Sequence, residues 1–169
     1  MTSRYLPAFI YALEDRGLLD FDILGNDERS FANRFMIQKY VYLAKYFGLD
    51  MGYGFGMYLH GPYSRTLADH YYQLAEENAM EEVVLEEEEI GFMSRPSDLN
   101  GLQVERFFDF VNGKDPVWLE AATTLLSLRP YFGDRKLLVE RTANMKSHIP
   151  EHKIESILRT LEEKILVTS

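Results

Sequence analysis

Seven residues, Tyr58-Leu59-His60-Gly61-Pro62-Tyr63-Ser64, constrain this 169-residue chain more than any other stretch. They carry an aromatic, glycine-spaced extended segment into a tight turn and then directly into a helix. Pro62 fixes its own φ and has no N–H to donate, Gly61 admits backbone conformations closed to other residues, and Ser64 is a good N-cap. A helix is therefore expected over about residues 64–78. Its buried face would carry Leu67, Tyr71 and Leu74, with Ala68 and Ala75 beside them. Upstream, glycines at 52, 54 and 56 alternate with Tyr53, Phe55 and Met57. That period of two predicts a strand over about 53–59, with either a neighbour packed closely on its bare face or local flexibility there.

The flanking sequence reads as helix. Leu6, Phe9, Ile10 and Leu13 share one face of a helix over about 4–17, with Gly17 at its C-cap. Asn26 and Asp27 offer caps for a helix over about 27–48, whose apolar residues surround much of its circumference and mark it as the central core helix. Further helices are expected over about 102–112, 116–128, 134–147 and 151–166; Asp115-Pro116 is an N-cap followed by proline at the first helical position. Val83-Val84-Leu85 runs into Glu86-Glu87-Glu88-Glu89 and predicts a short edge strand over about 83–88, whose glutamates keep the edge from pairing. The fold class is a mainly α single domain, residues 1–169, with a small β-hairpin or edge element and a winged-helix-like first half. Phe31, Phe35, Val41, Leu43, Leu67, Leu74, Trp118, Leu119 and Leu161 form the expected core.

Composition removes whole classes of function. The chain has no cysteine, so disulfides, thiol nucleophiles and cysteine-ligated zinc are excluded. No apolar run approaches the ~20 residues that span a bilayer, and the N-terminus lacks a signal-peptide pattern; a cytoplasmic protein with no membrane partner is expected. The net charge of −9 is uneven: residues 1–100 carry 8 Lys and Arg against 17 Asp and Glu, and the remainder is balanced. Phosphate neutralisation supplies most nucleic-acid affinity, so the charge disfavours DNA and RNA and suits a basic protein partner or simple solvation.

Tyr58, His60, Tyr63, Ser64, Arg65 and His70 are the candidate partner-binding residues. They could converge at a helix N-terminus, whose free N–H groups favour an anion, either a phosphate or a carboxylate of a partner. The alternative is that Tyr58 and Tyr63 pack while Ser64 caps, with Gly61 and Pro62 purely structural. No Ser/His/Asp spacing supports a triad, and no catalytic residue or cofactor is assigned. His148 and His152 stand at i, i+4, but Pro150 between them starts a new helix, so no metal site is assigned. A winged-helix DNA-binding regulator is the second reading, with the helix after Ser64 as recognition helix; Arg65 faces Asp69, Glu76 and Glu77 there, without a basic surround. An enzyme is the third reading.

Three stretches taken in order carry a resemblance: Ile37-Gln38-Lys39-Tyr40-Val41-Tyr42-Leu43-Ala44, the turn with Leu67 after it, and Trp118-Leu119-Glu120-Ala121-Ala122. Together they resemble the YwgA-like proteins and their relatives, the SocA-like (Panacea) antitoxin domains, over roughly residues 30–165. The turn is the specific part. The resemblance implies a non-enzymatic module that binds another protein, as an antitoxin or adaptor binds a toxin, and the net charge suits a basic toxin-like protein as that partner. Aromatic richness and an acidic edge also permit a homodimer.

Overall fold

The computed structural model describes residues 5–77 and 99–166. Among them are seven α-helices and one two-stranded antiparallel sheet, a mainly α architecture with a small hairpin. The chain divides into two compact units: residues 1–55 with 64–112, and residues 56–63 with 113–169.

The first unit holds α1 (Leu6–Asp15), α2 (Glu28–Ala44), a 3₁₀ turn (Lys45–Phe47), α3 (Arg65–Glu76) and α4 (Leu99–Val111). Pro7 sits in the first turn of α1, where a missing N–H costs nothing, and Gly17 follows the helix at φ +70°. Asp27 caps α2 by accepting from the Ser30 amide at 3.3 Å, and hydrogen bonds from Ser30 hold its carboxyl below the ordinary range. Every residue from 37 to 44 of α2 is buried. Phe107 of α4 centres an aromatic cluster, its ring centroid 5.5 Å from Phe9, 5.7 Å from Phe47 and 6.4 Å from Tyr40. The Tyr40 hydroxyl donates to the Leu18 carbonyl, and burial pushes its pKa up to about 12.

The second unit holds β1 (Gly56–Tyr58), β2 (Gly61–Tyr63), α5 (Pro116–Leu128), a 3₁₀ turn (Arg129–Tyr131), α6 (Arg135–Met145) and α7 (Glu151–Lys164). Asp115 caps α5 through the Trp118 amide at 2.7 Å, and Asp134 caps α6 through the amides of Lys136 and Leu137. Helix α5 is the hub, packing on α6, α7 and β2. Its Leu119, Ala122 and Leu125, with Leu138 of α6 and Ile154, Ile157 and Leu161 of α7, are buried. Arg135 bridges α6 to α7 through Glu155 and Glu162, which raises its own pKa; its hydrogen bonds hold the Glu155 carboxyl low.

Several expectations need correction. Phe31 is 47% exposed and Phe35 and Trp118 are half-buried, so these three lie outside the core. A helix apolar on all sides does not reveal which turns have neighbours, and the continuously buried stretch of α2 is its C-terminal half, residues 37–44. The strand expected over 53–59 is confined to Gly56–Tyr58. A Cβ added at Gly52 or Gly54 would meet nothing within 4 Å, so no neighbour packs on that face; Gly52 instead serves a φ of +87°. Gly61–Tyr63, read from sequence as the turn itself, is the second strand. The strand expected over 83–88 and the Glu86–Glu89 run lie outside the described residues.

Candidate functional site

The hairpin is built by a register that suits an otherwise awkward sequence. Gly56 pairs with Tyr63, Met57 with Pro62 and Tyr58 with Gly61, leaving Leu59 and His60 as a two-residue turn. Antiparallel ladders alternate hydrogen-bonded and non-hydrogen-bonded pairs. Pro62 has no N–H, so Met57 and Pro62 form the non-bonded pair, and the pairs on either side carry the ladder bonds. Gly61 takes φ +97°, which an L side chain rarely adopts. A Cβ on Gly56 would come within 3.1 Å of the Tyr58 ring, so the missing side chain there makes room for that ring. The Tyr58 and Tyr63 rings meet edge to face, with centroids 5.4 Å apart.

The turn is fixed from beneath by a buried charge pair. Lys146, immediately after α6, has a side chain 3% exposed; its Nζ donates to the Leu59 carbonyl at 2.6 Å and lies 2.9 Å from Glu120 Oε2 on α5. The Glu120 side chain is 9% exposed. His148 Nε2 lies 3.2 Å from the other carboxylate oxygen, and His60 Nδ1 is 4.0 Å from Oε2. The two half-exposed histidines thus flank a buried carboxylate that Lys146 neutralises. Above this anchor the tip is open: Tyr58 is 58% exposed and Leu59 82%.

The six candidate residues separate. Tyr58, His60 and Tyr63 belong to the hairpin, with Gly61 and Pro62 in their structural roles. Ser64, Arg65 and His70 belong to the other unit. Ser64 is 1% exposed. Its hydroxyl accepts from the Leu67 amide at 3.2 Å, while Gln38 Oε1 takes its N–H at 2.8 Å and Gln38 Nε2 donates to its carbonyl at 2.9 Å. It is a cap held by a buried glutamine, not a surface contact. His70, read as a partner contact, is likewise buried; its Nδ1 lies 2.7 Å from the Tyr53 hydroxyl, and burial holds its pKa below the ordinary range. Two of the six groups are therefore withdrawn from any surface. Arg65 is exposed at the start of α3.

Leu59, Glu120, Lys146 and His148 complete the arrangement without having been singled out as site residues. Glu120 had a readable signal: a lone carboxylate in the otherwise uncharged run of α5. Lys146 and His148 had none, since their partners lie 26 or more residues away. His148 and His152 do not share a helix, because Pro150 caps α7 between them. Among the described residues no group of three or more His, Cys, Asp or Glu is arranged to hold a metal ion, and no helix is long and apolar enough to cross a membrane. The unit carrying the hairpin has nine Lys and Arg against eight Asp and Glu, so the acidic excess belongs to the other unit and the tip's own chemistry is apolar. Comparisons with protein-family models, curated proteins and solved structures return no match.

Proposed function

We propose that this chain is a non-catalytic protein-interaction module, of the kind its resemblance to YwgA-like and SocA-like proteins implies, and that the hairpin tip is its docking element. The observation carrying this reading is Leu59: a large apolar side chain, 82% exposed, at the apex of a turn whose backbone is tied to a buried ion pair. Fully burying a leucine is worth about 1.5–3 kcal/mol. An ordered apolar tip can deliver that to a partner's pocket with little entropy lost on binding. Tyr58 and His60 flank it and supply an aromatic face and a polar edge of the sort enriched at binding hot spots. The partner is a basic protein, steered by the net charge of −9 and anchored by Leu59.

A tagged full-length chain, used to capture partners from its native host at moderate salt, tests this. The expected result is a stoichiometric basic protein retained by wild type and by Tyr131→Ser, a change at another exposed aromatic, and lost with Leu59→Glu. Equal capture by all three chains would remove the tip from the interface. Salt-sensitive, nuclease-sensitive capture of DNA without protein would replace the reading with that of a DNA-binding regulator.

A further inference from the structure

We propose that Lys146 is a positioning residue that selects the conformation of the hairpin turn. The two loop residues, Leu59 and His60, are not the Gly, Asn or Asp that usually specify a two-residue hairpin turn through their own backbone preferences. Gly61, at φ +97° directly after them, is the one local residue suited to a tight hairpin, but nothing in Leu59 or His60 fixes the peptide that joins these two. Paired turn types, I with II and I′ with II′, differ mainly by a flip of the peptide between the two central residues. In this hairpin that peptide carries the Leu59 carbonyl, the group that Lys146 Nζ holds at 2.6 Å. A long-range charged donor thus holds the one peptide of the turn that Leu59 and His60 do not themselves fix.

The surrounding chemistry fits this role. Lys146 is buried and paired with the equally buried Glu120. Such a pair adds little net stability over apolar residues of similar volume, because desolvating both charges offsets their attraction. What it does supply is direction. Glu120 orients the ammonium, and the third element is one specific carbonyl. Holding that carbonyl inward fixes the turn from which the Leu59 side chain stands 82% exposed. The consequence for partner capture rests on the docking role proposed for Leu59, whereas the effect on the hairpin is a property of this chain alone.

Glu120→Gln keeps the Lys146 donor, and Glu120→Gln combined with Lys146→Met removes it without leaving an unpaired buried charge. Amide exchange measured by NMR on the full chain compares the two. The Gly61 and Tyr63 amides, which the register places inside the ladder, are expected to exchange roughly tenfold to hundredfold faster in the double variant. The α7 amides of Ile157 and Leu158 should not change. Placing Asn and Gly at the turn, as Leu59→Asn with His60→Gly, should restore slow exchange in the double-variant background. Equal hairpin exchange in the single and double variants would overturn the proposal. Should the double variant unfold, the wild-type chain decides. A slowly exchanging Lys146 ammonium resonance coupled to the Leu59 carbonyl supports the assignment, and an ammonium averaged with the solvent-exposed lysines overturns it. If hairpin exchange responds while capture by the Glu120→Gln, Lys146→Met chain equals wild type, the positioning role stands and the docking reading fails.

Discussion

Replacing Gln38 with leucine should destabilise the first unit far more than the loss of one polar side chain on a helix would suggest. Gln38 is 2% exposed, and its amide closes both backbone groups of Ser64, which is itself 1% exposed. In the leucine variant the Ser64 N–H and carbonyl lose these partners where water cannot readily replace them. Each orphaned buried group costs about 1–3 kcal/mol, so the change costs about 2–6 kcal/mol against a typical total of about 5–15 kcal/mol. For a chain of this size that lowers Tm by at least about 4 °C. Urea denaturation followed by far-UV circular dichroism should show a lower midpoint with an unchanged slope.

Gln38→Glu sharpens the test. The ionised carboxylate can accept from the Ser64 amide but repels its carbonyl, whereas the protonated acid can donate to that carbonyl as glutamine does. Burial beside a carbonyl raises the folded-state pKa of such a group, so the stabilisation is complete below the unfolded value and is lost as pH rises through the folded one. The defect of Gln38→Glu relative to wild type should therefore shrink as pH falls from about 7 towards about 5. A leucine variant within about 0.5 kcal/mol of wild type, the range of an ordinary surface change, together with a glutamate variant showing no pH dependence, would refute the clamp.

Three further outcomes follow from the same geometry. Gly61→Ala, at φ +97°, should cost about 1–3 kcal/mol, whereas Gly54→Ala, which meets nothing within 4 Å, should lie within about 1 kcal/mol of wild type; equal effects in thermal melts would contradict the assigned backbone. Because burial holds His70 below the ordinary histidine range, its contribution to stability is whole above about pH 6.5 and is lost as pH falls below it; His70→Gln should flatten that part of the urea-midpoint profile, and an unchanged profile would place the titration elsewhere. Arg135→Met removes the bridge from α6 to Glu155 and Glu162, whose side chains remain about a third exposed or more, so it should cost only about 0.5–1 kcal/mol at low salt and less at about 1 M salt.

What the sequence reveals here is local chemistry. Asp27, Ser64 and Asp115 all cap the helices expected of them, and Pro116 and Pro150 stand at helix starts, because a cap is decided within three or four residues. The hairpin misleads for the same reason. Gly61-Pro62 has the composition of a turn, yet the turn is Leu59-His60: Gly61 carries its unusual φ within a strand, and Pro62 fits the one register position that needs no N–H. Phe31 and Trp118 match core residues in type, but type and period do not show which faces find neighbours. The anchor of the candidate site depends on Leu59 and Lys146, 87 residues apart, and on a glutamate whose significance comes only from its burial. Conversely, His70 and Ser64 lie close in sequence to the exposed tip but are buried members of the other unit.

A photo-crosslinking amino acid placed at position 59, with a second chain carrying it at the equally open position 131, tests the docking role of the hairpin tip directly in the native host. The account predicts one discrete crosslinked protein from position 59 and none from position 131. Crosslinks from position 131 with none from position 59 would contradict it.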